Sequence, residues 1–341
     1  MNIGWQRIAG ALALMAATTG VYADENITLK LAYWVPPRHG LTPGFKEWGA
    51  ALAKATNGTL KVQLYPSSQL GSGRDHYDLA KRGIADISFV NPGYTPGRFP
   101  VIGATDLPFT VGDALKAAPE ITRWYKKYAG KEMSDVIFCH AFTHDRATIH
   151  SNKPIRVPAD VKGLNIRTAN QTMSRYITEM GGNPVQVPIM EAYETLKRGV
   201  TDGITVTFGG LAGPFKFGKV TKYSLDVPFY VATFVDVISK SAYERMSPTQ
   251  RKAIDDTCTP EWAAKIYGHW YKVDQKEQAD GRKLKDHVFT KIGPAEVKLW
   301  RQAAKPVEEA WAESVKKAGL DPKQVRGELE TGLKKVGALV D

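Results

Sequence analysis

Residues Val161–Val206 read VKGLNIRTANQTMSRYITEMGGNPVQVPIMEAYETLKRGVTDGITV, and this stretch decides the class of fold. Three short apolar stretches typical of β-strands alternate with two segments of helical composition: strands at 164–167, 184–187 and 203–208, and helices at about 172–180 and 189–198. Such alternation predicts βαβ units and an open, parallel sheet. Ligands of open α/β sheets bind beyond the carboxyl ends of the strands, so the residues at those ends are candidates for a site.

Arg167 ends the first of these strands. A guanidinium at that place offers a planar pair of donors that suits a carboxylate, which it can bind through two parallel hydrogen bonds. The alternatives are an ion pair with an Asp or Glu of the same chain, or simple exposure to water. The stretch by itself leaves these three interpretations open.

A second copy of part of this stretch lies earlier in the chain. Tyr77–Val90 and Tyr193–Val206 are identical at six of fourteen positions, 116 residues apart, and a similar strand with a proline precedes each copy. The alternative is a coincidence between two helix–glycine–strand junctions, since Arg-Gly often ends a helix. The matching flanks favour duplication, which predicts two similar α/β lobes with a ligand cleft between them.

The N-terminus has the pattern of a secretory signal peptide. Arg7 precedes an apolar run at 8–17, and Val21-Tyr22-Ala23 forms a small-x-small cleavage site before Asp24. The run is too short for a membrane anchor, which needs about 20 apolar residues. Without residues 1–23, 45 Lys and Arg face 35 Asp and Glu, a net charge of +10. In an exported chain this charge favours anionic solutes over nucleic acid.

The cysteines and histidines bear on whether the chain has disulfides, a metal site or a catalytic site. The two cysteines, Cys139 and Cys258, are too few for a disulfide framework, and buried free thiols are expected rather than a bridge. The histidines form no metal-ligand motif, and neither a nucleophile elbow nor a phosphate-binding glycine loop occurs. Binding is therefore favoured over catalysis, and no cofactor or metal is expected.

Three motifs carry a family resemblance: KGLNIR at 162–167, GGNPV at 181–185 followed by Pro188, and EAY at 191–193 leading to KRGVTDG at 197–203. Together they resemble the DctP-like periplasmic solute-binding proteins of tripartite ATP-independent periplasmic (TRAP) transporters, and the resemblance covers nearly the whole mature chain. In that family the arginine of the first motif receives the carboxylate of an organic acid. The resemblance thus implies that Arg167 binds a carboxylate. It also implies a periplasmic, monomeric receptor that is not an enzyme and that delivers its ligand to membrane permease subunits.

The fold expected from the repeat and the resemblance is α/β, with two similar lobes joined by crossover strands and a long helix around a central cleft. Residues 24–144 should form lobe I, with 231–270 returning to it. Residues 145–230 should form lobe II, with 271–341 packing mainly on it and across both lobes. Two helices are expected near 294–303 and 306–318, separated at Pro306.

The resemblance also implies further ligand contacts. They are a second basic contact at Arg146, the loops of lobe I that contain His39 and Asn91, and Thr205 on the third strand. Trp34, Tyr94 and Phe208 could form aromatic walls of the cleft, and packing in the core is the alternative for each of them. In the sialic-acid-binding members an asparagine contacts the ligand where this chain has Val206, and an apolar side chain there favours a less polar acid. The expected ligand is an aromatic or branched monocarboxylate.

Two other ligand classes stay open. One is a four-carbon dicarboxylate whose second carboxylate lies on Arg38, His39 or Arg146, and the other is the substrate of an exported enzyme that uses the same cleft. Before a ligand binds, a cleft arginine such as Arg167 is expected to face water.

Overall fold

The computed structural model describes residues 25–340, and the predicted signal peptide at 1–23 lies outside that range. Two β-sheets, each covered by helices, form two lobes with a cleft between them. In the described range no helix combines the length and the apolar character that crossing a bilayer requires. The architecture is the expected two-lobed α/β fold.

The strands are β1 Ile27–Ala32, β2 Leu60–Tyr65, β3 Ile87–Val90, β4 Val136–Thr143, β5 Ala147–Ser151, β6 Asn165–Arg167, β7 Asn183–Val185, β8 Gly203–Thr207, β9 Tyr223–Leu225, β10 Thr233–Ser239 and β11 Val288–Thr290. The helices are α1 Leu41–Ala55, α2 His76–Lys81, α3 Ala114–Glu132, α4 Gln171–Glu179, α5 Ile189–Lys197, α6 Lys240–Glu244, α7 Pro248–Thr257, α8 Pro260–Gly281, α9 Pro294–Lys317 and α10 Pro322–Lys335.

The two sheets repeat one topology. The first has the strand order β2-β1-β3-β10-β4, and the second, read from its β7 edge, has the order β7-β6-β8-β5-β9-β11. In each sheet three parallel strands are followed by an antiparallel one, β10 beside β3 and β5 beside β8. The repeated stretches supply α2 with β3 and α5 with β8, which occupy equivalent places. The duplication in the sequence is therefore a duplication in the fold.

The structure explains why the two copies share a glycine and an aspartate. Gly83 and Gly199 follow α2 and α5 with positive φ angles of 69° and 71°, a conformation that glycine adopts at no steric cost. Three residues later, Asp86 accepts a hydrogen bond from the backbone N–H of Lys30 at 2.7 Å, and Asp202 accepts one from that of Asn165 at 2.9 Å. Each aspartate thus ties its β-strand to the neighbouring strand of the same sheet.

Two chain crossings connect the lobes beside the cleft. The chain leaves the first sheet at Thr143 and enters the second at Ala147, and it returns between β9 and β10. These crossings pair with each other, since the N–H of Ala147 donates to the carbonyl of Tyr230 at 2.8 Å and that of His144 to Ala232 at 3.1 Å. Helix α8 packs on α1 and α3 of one lobe and on the turn Phe208–Leu211 of the other.

The prediction of two helices separated at Pro306 is wrong, because α9 continues through that proline. An interior proline removes one backbone hydrogen bond and costs about 3 kcal/mol. Two buried tryptophans, one on each side of the proline, offset this cost. Trp300 donates its indole N–H to the carbonyl of Arg156, and Trp311 donates its own to the carbonyl of Pro100, both at 2.9 Å. Two anchored tryptophans therefore hold one continuous helix.

The prediction of buried free thiols is also wrong. Cys139 on β4 and Cys258 at the end of α7 form a disulfide although 119 residues separate them in sequence. Helix α7 ends against β4, where the carbonyl of Thr257 accepts a hydrogen bond from Nε2 of His140 at 2.8 Å. Tertiary packing thus brings the two cysteines together, which their spacing in the sequence did not indicate.

Candidate functional site

A cavity lies between the lobes at the carboxyl ends of β3, β6 and β8, closed on one side by α8. The centres of water-sized molecules could occupy about 60 Å³ of it. That is well above the volume that a single water needs, so the cavity has room for a small ligand. Among the described residues that line the cavity, Arg167 is the only arginine or lysine.

The Arg167 side chain is held at the end of β6 by three hydrogen bonds. Its Nε donates to the carbonyl of Val187 at 2.9 Å, Nη1 to that of Thr205 at 3.4 Å, and Nη2 to the hydroxyl of Tyr94 at 3.3 Å. Only 1% of the residue is exposed, so the expectation that it faces water is wrong for this closed arrangement of the lobes. A guanidinium has five N–H donors, which leaves one on Nη1 and one on Nη2.

No carboxylate of the described part of the chain forms an ion pair or a hydrogen bond with Arg167. The three protein acceptors around it are neutral oxygens. A buried charge without a counter-charge is expensive, by several kcal/mol for an isolated ion. The two remaining donors of the guanidinium are therefore available to an anionic group.

The lobes are closed over this cavity. Tyr94 of the first lobe accepts hydrogen bonds from Arg167 and, at 3.2 Å, from the N–H of Ile189 in the second. Asn91 donates to the carbonyl of Ala169 at 3.3 Å, and Gln186 donates to that of Gly93 at 2.6 Å. The loop after β3 thus contacts the second lobe directly above Arg167.

Aromatic side chains form one continuous wall of the cavity. Each ring contacts the next, with centroid separations between 4.8 and 6.1 Å, in the order Tyr94, Trp34, Phe234, Trp270, His39, Phe215. Aromatic pairs at such separations are favourable and rigid. The Nε1–H of Trp34 is buried and has no hydrogen-bond partner among the described residues. The wall therefore offers flat apolar surface together with an unused donor.

Two histidines at the cavity are neutral. Burial lowers the pKa of His39 to about 3 and that of His144 to about 4. His39 accepts the N–H of Leu41 at Nδ1, at 3.3 Å, so the proton of its neutral ring is on Nε2. His144 donates from Nδ1 to the carbonyl of Asp145 and accepts the N–H of Ala232 at Nε2, so both of its nitrogens are already engaged.

Two carboxyl groups on α8 also line the cavity. Asp274 is 4% exposed and accepts hydrogen bonds from the hydroxyl of Thr207 at 3.1 Å and from Nε2 of Gln278 at 2.8 Å. Glu277 is half-buried, and its carboxyl accepts no hydrogen bond from the described residues. Burial raises the pKa of both Asp274 and Glu277 to about 7.

Six of the eight predicted site residues line the cavity: Trp34, His39, Asn91, Tyr94, Arg167 and Thr205. Arg146 and Phe208 are not part of its lining. Arg146 is half-buried in the crossing between the lobes, while Phe208 is buried below the cavity, where the guanidinium of Arg282 lies 4.1 Å from its ring centroid. The structure therefore does not bring these two side chains to the others.

Six other residues that line the cavity were not predicted from the sequence. They are His144, Phe215, Phe234, Trp270, Asp274 and Glu277. The aromatic positions gave an ordinary apolar pattern typical of a core. The acidic pair lies in a helix with charges on most of its turns, so no local signal distinguished these two from solvated residues.

A larger cavity, of about 180 Å³, lies beside α4 and α9, and it is chemically less suited to an anion. Its arginine, Arg175, is paired with Glu179 at 2.6 Å. Its buried acid, Asp106, accepts two hydrogen bonds from Thr233, at 2.9 and 2.7 Å. The charged groups of this cavity therefore already have partners.

Two lobes of repeated topology, closed over a small cavity, define the class of two-lobed solute-binding proteins. The family described as bacterial extracellular solute-binding protein, family 7 (DctP), matches residues 31–314, and the chain belongs to that family. It is a DctP-like solute-binding protein of TRAP transporters, a class of receptors rather than enzymes.

Among solved structures, the chain is similar to a TRAP solute-binding protein from Rhodoferax ferrireducens T118 in complex with copurified benzoate. The TM-score is 0.85 and the identity 26%, over 92% of this chain and 99% of that one. A TRAP periplasmic solute-binding protein from Bordetella bronchiseptica with bound (R)- and (S)-mandelate gives a TM-score of 0.84 at 25% identity, over 91% and 99%.

A sequence relative from Escherichia coli (strain K12), the 2,3-diketo-L-gulonate-binding periplasmic protein YiaO, is 26% identical over 80% of this chain and 84% of its own length. The relatives thus share the receptor fold and bind small organic acids.

Proposed function

We propose that this protein is the extracytoplasmic receptor that binds an aromatic monocarboxylate through Arg167 and delivers it to the membrane permease subunits of a TRAP transporter. One observation carries the proposal: Arg167 is buried at the floor of the cleft without an acidic partner among the described residues. A ligand carboxylate would supply the missing charge.

The geometry of the guanidinium supports a two-point contact. The protein acceptors use Nε and one N–H each of Nη1 and Nη2. One N–H group on each terminal nitrogen stays free, and a carboxylate that binds through both of its oxygens uses one donor from each of these nitrogens. The buried Nε1–H of Trp34 and the Nε2–H of His39 are further donors at the same cavity.

The ligand's body should be a ring. The aromatic wall from Tyr94 to Phe215 presents apolar faces, and Val206 adds an aliphatic one. The size of the cavity, about 60 Å³ for the centres of water-sized molecules, suits one ring. The similar proteins from R. ferrireducens and B. bronchiseptica hold benzoate and mandelate, both aromatic monocarboxylates, which supports this class.

A four-carbon dicarboxylate is the weaker alternative. Its second carboxylate would need a cation, but Arg38 donates to the carbonyl of Pro214 at 2.9 Å and Arg146 is not part of the lining. His39 is neutral because burial lowers its pKa to about 3. Asp274 and Glu277 add acidic groups and no cation to the cavity, so it favours a single carboxylate.

The proposal also covers the export of the receptor, its oligomeric state and its two lobes. Residues 1–23 act as the signal peptide, and the mature chain works as a periplasmic monomer. Residues 24–144 with 231–270 form lobe I, and 145–230 with most of 271–341 form lobe II. Opening then occurs at the crossings near 143–147 and 228–234, since few chain segments connect the lobes there.

Calorimetric titration of the mature protein tests the ligand class. Benzoate should bind with one site per chain, and succinate should produce no heat of binding at the same concentrations. Cyclohexanecarboxylate is a control for ring shape, because it keeps the carboxylate and loses the flat face. Binding of succinate in preference to benzoate would contradict the proposal and support the dicarboxylate alternative.

A further inference from the structure

We propose that the cavity contains a second recognition point opposite Arg167, formed by Asp274 and Glu277, that accepts a hydrogen bond from a hydroxyl or amino group on the ligand's ring. The inference rests on the proposed function, and it narrows the ligand to an aromatic acid that carries a hydrogen-bond donor away from its carboxylate.

The first step is that these carboxyl groups have acceptor capacity to spare. Each oxygen of Asp274 accepts one hydrogen bond, from Thr207 or from Gln278, and a carboxylate offers about four acceptor positions. The carboxyl group of Glu277 accepts no hydrogen bond from the described residues, and Arg38 supplies only a nearby positive charge. A donor on the ligand would use these free positions.

The second step is that the carboxyl group of Asp274 is shielded from water. Asp274 is buried, and the turn that contains Gly209 packs directly against its carboxyl group, where a Cβ on that glycine would overlap with Oδ1. Burial raises the pKa of both acids to about 7, although Glu277 is only half-buried. An acceptor in such surroundings gains more from a ligand donor than an exposed one does.

The third step concerns spacing. The carbonyl of Thr205 accepts from Arg167, and the hydroxyl of Thr207 donates to Asp274, so both ends of the cavity are attached to β8 two residues apart. Two residues of a strand span roughly 6.5–7 Å. The contacts of Arg167 and of Asp274 thus lie about 7 Å apart along β8, and the aromatic wall lines the same cavity.

That the cavity holds a ligand does not depend on the acidic pair. Arg167 has no acidic partner in the described range, and the buried Nε1–H of Trp34 has no hydrogen-bond partner there. Both groups line the same space as Asp274 and Glu277. Donors without an acidic partner in the described chain and carboxyl groups with free acceptor positions thus line one cavity, which fits a ligand that has both a carboxylate and a hydrogen-bond donor.

The test is a set of titrations with matched acids. Benzoate has no second polar group, 3- and 4-hydroxybenzoate add a neutral donor, and 3- and 4-(aminomethyl)benzoate add a cationic one. The methyl ethers, 3- and 4-methoxybenzoate, keep the oxygen and lose its proton. At least one donor-bearing acid should bind about ten- to a hundredfold more tightly than benzoate and its own methyl ether, the range expected for a hydrogen bond to a charged group.

The variants Glu277→Leu and Asp274→Leu, which remove the acceptor oxygens, then show which carboxyl group accepts the hydrogen bond. The measured quantity is the ratio of the donor-bearing acid's affinity to that of benzoate in the same variant, which cancels any general loss of binding. This ratio should fall towards one in at least one of the two variants. Asp280→Asn, an exposed position on the same helix that is not part of the lining, is the control and should keep the ratio of the wild type.

The outcomes separate the two proposals. Equal affinities of benzoate, the donor-bearing acids and the ethers would overturn the second recognition point and leave the proposed function standing. A donor preference that persists in both variants would also overturn it. If none of these acids binds the wild type, the proposed function itself fails. A preference for the aminomethyl acids over the phenols would identify the accepted donor as an ammonium group.

Discussion

Replacement of Arg167 tests how the ligand's carboxylate is bound. In the closed protein two N–H groups of the guanidinium are free for it. Hydrogen bonds between charged groups contribute about 1.5–3 kcal/mol each, so Arg167→Ala should remove roughly 3–5 kcal/mol of binding free energy. This corresponds to an affinity for benzoate about a hundred to several thousand times lower.

Arg167→Lys should restore only part of this affinity. An ammonium group keeps the charge, but it is a point donor and cannot present two parallel N–H groups. Nor can it replace all three bonds by which the guanidinium holds the carbonyls of Val187 and Thr205 and the hydroxyl of Tyr94. The lysine variant is therefore expected to bind between the wild type and the alanine variant.

Stability separates a ligand-binding role from a purely structural one. The alanine variant loses three hydrogen bonds but also loses a buried charge that has no acidic partner in the described chain, and these two effects oppose each other. The ligand-free melting temperature should therefore change little. In the wild type, benzoate at a hundred times the dissociation constant should raise the free energy of unfolding by about 2.7 kcal/mol. In the alanine variant this stabilisation should disappear at the same benzoate concentration.

The assay is calorimetric titration with benzoate and thermal melting on the same samples. Arg146→Ala is the matched control, because it removes an arginine that is near the crossing between the lobes and is not part of the cavity's lining. Near-normal affinity in a destabilised Arg167→Ala protein would refute the reasoning. A large loss in Arg146→Ala instead would move the carboxylate to that residue.

Three further predictions concern motion, the disulfide and pH. The closed contacts of Tyr94 should form on binding, so small-angle scattering should show a smaller radius of gyration with benzoate; identical curves at saturation would argue against hinge closure. Replacing both Cys139 and Cys258 by alanine opens a loop of 119 residues and should lower the free energy of unfolding by about 2–5 kcal/mol in urea denaturation, whereas an unchanged midpoint would exclude a stabilising role. Burial raises the pKa of Asp274 to about 7, so the folded protein holds this proton more tightly than the unfolded chain and the group's contribution falls as pH rises from about 4 to 7. Asparagine does not ionise, so the variant Asp274→Asn does not lose stability in this way. The melting temperature of the variant minus that of the wild type should therefore rise between pH 5 and 8. A difference that stays constant with pH would mean that the Asp274 carboxyl ionises normally.

Much of the fold could be predicted because its signals are local. The copy at Tyr193–Val206 contains the glycine that ends a helix and the aspartate that bonds to the neighbouring strand, and both act within one supersecondary unit. In the copy at Tyr77–Val90, the corresponding glycine and aspartate have the same two roles in the other lobe. Since each signal operates over a few residues, the sequence is enough to predict a repeated lobe and hence a cleft.

Arg167 was predictable for a related reason. It ends the strand β6, and the carboxyl ends of parallel strands face the ligand side of such a sheet. The loops with Trp34 and Tyr94 follow strands of the other lobe in the same way. Six of the eight predicted residues therefore line the cavity. Arg146 and Phe208 do not, because their orientation depends on how the crossing and the turn pack.

Only the tertiary structure decided the remaining features, since each depends on residues far apart in the sequence. Helix α8 brings Trp270, Asp274 and Glu277 against a cavity whose arginine lies about a hundred positions earlier. The carboxyl groups acquire their raised pKa from burial under another segment, which no local pattern encodes. The disulfide likewise joins cysteines 119 residues apart. Local sequence determines which elements form and where their ends point, whereas packing between distant elements determines which charges lose their water and so which ligand groups the cleft can accept.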